Sequence, residues 1–257
     1  MTPAVSLWAA GSLKAALGEV AAAFATTPGG AAVAAEFGAA GTLRARIEAG
    51  RAPVRPDVFA SANLVHPEAL AARGLCGPVR LFARNRLCAL ARPEVGATPA
   101  TLLDAMLRPD VRLGTSTPGA DPSGDYAQAM FARAEAARPG AGAALRAKAL
   151  ALTGGPGCPK APDGGNLYAW VVGGGRADIF LTYATNAALA VVERPDLRSV
   201  ELPDELAVGA DYGLVVLRPE KCEALCLAGY ILAPAGQRVL ARHGFGAGAA
   251  TPTRGVA

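Results

Sequence analysis

Histidine is nearly absent from this chain: His66 and His243 are its only two, and neither accompanies a serine or cysteine motif that would supply a nucleophile. His66 precedes Pro67 near an expected helix start, and a surface or capping role is expected for both. The five cysteines (Cys76, Cys88, Cys158, Cys222, Cys226) lack metal-ligand spacing, and an odd number cannot pair completely within one chain. They are expected to be small buried hydrophobes, with Cys222 and Cys226 sharing one helix face. No run of Lys or Arg accompanies the net charge of +4, which weighs against nucleic-acid binding. No apolar stretch approaches the roughly 18 residues of a membrane span, so a soluble protein is expected. No basic segment or cleavage site precedes the apolar start after Met1-Thr2-Pro3; the chain is either cytosolic or has lost an export signal.

What is present is hydrophobic residue, 52% of the chain against 18% charged, enough for a packed core of one large or two small domains. Strand and helix patterns alternate. Val5 to Ala9 reads as a strand, followed by a helix through Leu13, Leu17, Val20 and Phe24 with Ser12 as its cap. Ala31 to Phe37 reads as a second strand, Gly38 to Gly41 as a turn, Thr42 to Ala49 as a helix and Asp57 to Ala60 as a third strand. This order predicts an α/β fold built on a mainly parallel sheet. Arg80 to Ala91, apolar at both ends and charged between, is expected to cross from one lobe to a second, and Tyr212 to Leu217 to return. Between them come a strand Val111 to Thr115, a loop Ser116 to Gly124, a helix Asp125 to Ala137, a helix Leu167 to Val172 and a strand Asp178 to Leu181. Helices near Cys222 to Leu232 and Gly236 to His243 close the chain. The expected lobes are residues 1–82 with 215–257, and residues 83–214.

Two segments echo each other, Asp57-Val58-Phe59-Ala60-Ser61-Ala62-Asn63 and Asp178-Ile179-Phe180-Leu181-Thr182-Tyr183-Ala184-Thr185-Asn186. Each is an apolar strand with a small polar tip at its carboxyl end, where open α/β sheets hold ligands. The two aspartates, at the opposite ends of these strands, read as structural. Four expected helices open after small polar loops: Gly11-Ser12, Ala40-Gly41-Thr42, Pro122-Ser123-Gly124 and Gly165-Asn166. Their unpaired N–H groups and partial positive charge attract anions. Asp121 and Asp125 flank the third of these starts and are read as closing its loop, with a carboxylate there also able to accept a proton. Gly173-Gly174-Gly175 leads into a strand, so it is read as a helix stop and not a phosphate loop.

The strand followed by Ala10-Gly11-Ser12-Leu13, the segment Gly41-Thr42-Leu43-Arg44 through Asp57-Val58-Phe59-Ala60-Ser61-Ala62, the loop Asp121-Pro122-Ser123-Gly124-Asp125 and the ending Arg242-His243-Gly244-Phe245 together resemble the molybdate-binding component of an ABC importer. The likeness runs in order over nearly the whole chain. It implies a two-lobed type II periplasmic-binding fold with two hinge crossings, holding molybdate or tungstate between the lobes through neutral donors. No metal-ligating side chain or cofactor is then needed, because the metal arrives as an oxyanion. By resemblance Gly11 and Ser12 form the first binding loop, Ser123 the third, Asn166 or Leu167 the fourth helix start, and Tyr183 the binding tyrosine. Where the family commonly has serine in the second loop, this chain has Ala39-Ala40-Gly41, leaving the backbone amides of Ala40 and Gly41, or Thr42. The segment Thr182-Tyr183-Ala184-Thr185-Asn186 also departs from the more usual Tyr-Gly-Ser-Asp. The implied setting is the periplasm, with a membrane permease and its ATPase as partners of a monomeric binding protein.

A cage of donors alone favours a deprotonated tetrahedral dianion over hydrogen phosphate, whose proton would lack an acceptor at a cost of about 1–3 kcal/mol. A second possibility keeps the fold and changes the ligand to sulfate, another oxyanion or a small carboxylate, with Asp121 or Asp125 as acceptor. A third is an enzyme with Cys88 or Cys158 as nucleophile, for which the chain shows no partnering base.

Overall fold

The computed structural model describes residues 5–50, 55–162 and 164–248, so the start Met1-Thr2-Pro3 lies outside the described residues. In chain order the elements are β1 (Val5–Ala10), α1 (Lys14–Ala25), β2 (Val33–Gly38), α2 (Ala40–Ala49), β3 (Val58–Ser61), α3 (Val65–Ala72), β4 (Arg80–Ala91), α4 (Leu102–Leu107), β5 (Leu113–Ser116) and α5 (Pro122–Ala137). There follow α6 (Ala141–Lys148), β6 (Leu150–Thr153), α7 (Leu167–Gly173), β7 (Ile179–Tyr183), α8 (Ala184–Glu193), β8 (Arg198–Glu201), β9 (Gly209–Val216), α9 (Cys222–Leu232), α10 (Pro234–Arg242) and β10 (Gly246–Ala247). Two compact units result. One comprises Met1–Phe37, Arg46–Arg84 and Asp211–Ala257; the other comprises Gly38–Ala45 and Asn85–Ala210.

In the first unit β1 pairs parallel with β3, and β9 returns antiparallel against β3. Helix α1 buries Ala16, Leu17, Val20, Ala21 and Phe24, the helical-period stripe the sequence shows. In the second unit β4 runs antiparallel to β7, and β7 is parallel to β5, which is parallel to β6. Strand alternation divides its core. Leu87, Ala89, Ala91, Leu113, Ile179 and Leu181 pack with α4, α5 and α6, whereas Cys88, Leu90 and Phe180 pack with α7 and α8. Both sheet faces are covered, which is why these strands read as unbroken apolar runs.

The echoed aspartates perform one task in both units. Asp57, just before β3, accepts the Ser6 N–H of the parallel neighbour β1 at 2.7 Å. Asp178, just before β7, accepts the N–H of Arg112, beside the parallel neighbour β5, at 2.8 Å. Each carboxylate is balanced by a cation, Lys221 at 2.7 Å from Asp57 and Arg112 at 2.7 Å from Asp178. Burial alone would raise the Asp57 carboxyl, but hydrogen bonds from Lys221 and Ser6 outweigh it and hold the group below its ordinary range. Hydrogen bonds from Arg112 lower Asp178 likewise. Both aspartates are structural, as their positions at strand starts imply.

Several local expectations change. Ser12 does not cap α1: Gly11–Leu13 wind as a 3-10 turn and no side chain caps the helix, because the Ser12 hydroxyl lies 3.0 Å from that of Tyr212. Helix α2 starts at Ala40, inside the expected turn. Helix α5 starts at Pro122 and not Asp125, since Asp121 caps it and a proline in the first turn needs no N–H partner. Strand β4 is unbroken through its polar middle because Asp211, Thr185 and Glu201 receive Arg84, Asn85 and Arg86 at 3.0, 2.9 and 2.5 Å. Only Cys88 among the cysteines is buried; Cys222 and Cys226 share the exposed face of α9, whose opposite face buries Ala224, Leu227 and Ile231. His66 is buried in α3, contrary to a surface role, while His243 meets Glu19 at 2.8 Å. Among the described residues no single helix is long and apolar enough to cross a membrane; α9 and α10 pass such a test only together, across a bend of 57°.

Candidate functional site

The second unit gathers polar groups at the carboxyl ends of its parallel strands. Strand β5 ends at Ser116, whose hydroxyl lies 2.8 Å from that of Thr153 at the end of β6, both buried. The chain then turns through Thr117–Ala120, tied by the Gly119 N–H donating to Asp125 at 2.8 Å, and enters α5. Gly124 is required there: a Cβ would lie 2.5 Å from the Ser116 carbonyl oxygen. Ser123, in the first turn of α5, is completely buried, and its hydroxyl has no hydrogen-bond partner among the described residues. A buried hydroxyl without a partner costs about 1–3 kcal/mol, so the position is held against stability.

Tyr183 closes β7 on the sheet face that carries Ile179 and Leu181, the face covered by α5. Its ring meets that of Tyr126 of α5 edge to face, with centroids 6.1 Å apart and planes at 71°. Beyond it the tip is internally braced. Asn186 donates to the Thr182 hydroxyl at 3.1 Å, and Thr185 accepts from Asn85 at 2.9 Å.

The helix starts expected to hold an anion are partly occupied by the chain's own groups. In α2 the Gly41 N–H donates to the Ala120 carbonyl at 3.0 Å; Ala40 is buried and Thr42 exposed. Gly41 admits no side chain, because a Cβ would lie 2.3 Å from the Gly119 carbonyl oxygen. In α5 the Ser123 N–H donates to Asp121 at 3.0 Å. In α7 the Asn166 side chain accepts from Tyr168 and Ala169 at 2.9 and 3.0 Å, while its own N–H goes to Glu193 at 2.8 Å. Leu167, the first residue of α7, has an N–H that no intrahelical acceptor can reach. Gly38–Ala45, the loop before α5 and the starts of α5 and α7 therefore all lie in the second unit, as does Tyr183.

In the first unit the corresponding features are the exposed Gly11 and the half-buried Ser12 bound to Tyr212. The Tyr212 ring packs against Phe245 and Phe82, with centroids 5.4 and 6.3 Å apart, so the Ser12 hydroxyl is set by a fixed aromatic cluster. The tip Ser61-Ala62-Asn63 is spent on structure: Ser61 donates to Asn63 at 3.0 Å, and Asn63 accepts the His66 N–H at 3.1 Å, turning β3 into α3.

Electrostatics single out Asp121. Burial and the neighbouring Asp125 push its carboxyl up despite the Ser123 N–H and the Ser116 hydroxyl it accepts. The alternative of a nucleophile at Cys88 or Cys158 has no such support. Burial drives the Cys88 thiol up to about 11, and Ser199 is its hydrogen-bond neighbour at 3.7 Å. Cys158 neighbours the Thr117 hydroxyl and the Ala151 carbonyl, not a base. Among the described residues no cluster of three or more His, Cys, Asp or Glu side chains is placed to hold a metal ion.

Comparison with known proteins adds an independent finding. The family described as bacterial extracellular solute-binding protein matches residues 5–246. An uncharacterized protein of Pasteurella multocida is 39% identical over 212 residues, which cover 82% of this chain and 85% of that protein. Among solved structures, the sulfate-binding protein SubI of Mycobacterium tuberculosis superposes with a TM-score of 0.73 at 16% identity, over 94% of this chain and 86% of that one. The periplasmic molybdate-binding protein of Azotobacter vinelandii superposes with a TM-score of 0.69 at 18% identity, over 94% of this chain and 98% of that one. At such identities the two structures share a fold with this chain.

Proposed function

The chain belongs to the bacterial extracellular solute-binding proteins, and we propose that it captures a tetrahedral oxyanion, molybdate or tungstate, and hands it to an ABC permease and its ATPase. A solute-binding protein needs no catalytic apparatus, which fits a chain whose buried thiol is driven up and away from nucleophilic use. One observation carries the oxyanion: the completely buried Ser123 hydroxyl, without a partner among the described residues, in the first turn of a 16-residue helix. A hydroxyl kept there unpaired is reserved for an acceptor that arrives from outside, and the helix start favours an acceptor with negative charge.

Around it we assign Tyr183 as a second hydroxyl donor and the Leu167 N–H as a backbone donor, with Asn166 fixing the start of α7. Ala40, Gly41 and Thr42 form the second loop, in which Gly41 sets the backbone path against Ala120. In the first unit we assign Gly11 and Ser12 as ligand-binding residues in their own right, the Ser12 hydroxyl oriented by Tyr212. This donor set is neutral, as suits an anion that must be released again to a transporter.

The test is a thermal-shift and native mass-spectrometry screen of protein stripped of bound anions, against molybdate, tungstate, sulfate and phosphate. Stabilisation by the first two above the others supports the proposal; no response to any of the four refutes it. A second reading, the same scaffold holding another oxyanion or a small carboxylate that brings a proton of its own, is favoured by one observation. A carboxylate, Asp121, already sits on the first turn of α5.

A further inference from the structure

Asp121 stands where an anion-binding helix start would ordinarily be left open. Its Oδ1 accepts the Ser123 N–H at 3.0 Å and its carbonyl accepts the Gly124 N–H at 2.8 Å, so the first turn of α5 already has acceptors of its own. What remains to offer a ligand is the buried Ser123 hydroxyl, without a partner among the described residues. The carboxylate cannot easily withdraw. Gly154, at a φ of 77°, lies against it so closely that a Cβ there would be 2.5 Å from the Asp121 Cβ and 2.7 Å from its Oδ2. The groups facing it are the Ser116 hydroxyl at the end of β5, Asp125 on α5 and the Tyr168 phenol on α7. None of these carries positive charge.

An oxyanion drawn to Ser123 therefore comes beside a carboxyl whose named neighbours among the described residues include no cation. Two negative oxygens at such a place are stable only with a proton between them. We propose that Asp121 is the specificity-determining residue of this site and shares one proton with the bound oxyanion, an inference that rests on the oxyanion reading above. A dianion without a proton, molybdate or sulfate, is held by Asp121 in its acid form, the carboxyl O–H donating to a ligand oxygen. The proton comes from solvent. Hydrogen phosphate brings its own proton, donates it to the Asp121 carboxylate and takes none from solvent. Burial and Asp125 raise this carboxyl, so taking up the proton on binding costs less than at an ordinary aspartate.

The signs follow from linkage. The molybdate complex contains one more proton than the separate partners, so its affinity falls as pH rises, approaching tenfold per unit above the pKa of Asp121 in the ligand-free protein. Isothermal titration of the full chain with molybdate and with phosphate, between pH 6 and 8 and in two buffers of different ionisation enthalpy, reads both the slope and the proton count. Wild-type protein at pH 8 should take up about one proton per molybdate and none per hydrogen phosphate. Asp121→Asn keeps the helix cap, because asparagine caps as well as aspartate. Its molybdate affinity should become independent of pH, without proton uptake, and its phosphate affinity should drop about tenfold or more for want of an acceptor. Asp121→Ser, another capping residue, should behave alike should the first variant fold poorly.

Molybdate binding to the wild type without proton uptake, or a pH slope that survives in either variant, overturns this inference alone. Failure of the wild type to bind molybdate, tungstate, sulfate or phosphate overturns the oxyanion reading and the inference with it.

Discussion

Replacing Ser123 by alanine is expected to strengthen the protein and weaken its binding at once. The side chain is completely buried and its hydroxyl lacks a partner among the described residues. Deleting that oxygen removes a desolvated polar group that costs about 1–3 kcal/mol in the ligand-free state, offset by a few tenths of a kcal/mol for the small void left behind. The ligand-free variant should thus gain about 1–2 kcal/mol, which for a chain of this size raises Tm by about 2–8 °C. In the complex the same oxygen donates to a charged acceptor, a bond of about 1.5–3 kcal/mol, so molybdate affinity should fall about ten- to hundredfold. Urea melts of anion-free protein give the first number and isothermal titration with molybdate the second. Substitutions of buried residues ordinarily destabilise, which makes the gain diagnostic. A variant that melts earlier than wild type, or that binds every oxyanion as tightly as wild type does, refutes the assignment of Ser123 as a reserved donor.

Three further outcomes are expected. Tyr183→Phe keeps the edge-to-face contact with Tyr126 and should lose about 1–2 kcal/mol of molybdate affinity; calorimetry showing no loss removes the hydroxyl from the site. Gly41→Ala drives a Cβ to 2.3 and 2.8 Å from the carbonyl oxygens of Gly119 and Ala120, so urea denaturation should register a loss of about 2 kcal/mol, and a variant as stable as wild type would show that the loop can yield. Lys221→Met strips the buried Asp57 of its 2.7 Å partner and should cost about 3 kcal/mol at neutral pH. The Asp57 carboxyl is lowered in the folded protein, so its contribution is complete above the ordinary carboxylate range and drains away as pH falls through the lowered value. That acid limb should flatten in the variant, and identical acid-unfolding profiles would dissociate the pair from stability.

Elements buried on two faces were the most legible in the sequence. Strand β7 and its counterpart β3 announce themselves as apolar runs behind an aspartate, and α9 is bounded as expected at Cys222 and Leu232. Elements without a strong period or stop signal were not. Helix α6 is an alanine-rich stretch after Pro139-Gly140, and α8 follows β7 without a break because Tyr183, in extended backbone, serves as its uncapped entry. The start of α5 was misplaced although its signal was present: Asp121-Pro122-Ser123 is a capping residue followed by proline in the first turn. Ser12 illustrates what no local pattern conveys. It is a good cap by composition, but its hydroxyl goes to Tyr212, distant in sequence, and only the folded sheet brings the two together. That the Ser123 hydroxyl has no partner among the described residues is of the same kind, since a missing partner is a property of surroundings and not of the residue.

The paired aspartates separate the duty of aligning strands from the duty of meeting a ligand. Asp57 and Asp178 lock neighbouring strands at their amino ends, whereas the serine, the tyrosine and the helix starts offered to the anion stand at the carboxyl ends. In each unit, taken by itself, alignment is thus fixed at the amino ends of the paired strands, and their carboxyl ends are released from that duty. On the proposed reading, substitutions at those carboxyl ends would alter the ligand without disturbing how the strands line up. The strands of each unit are aligned by a carboxylate that never needs to meet the ligand.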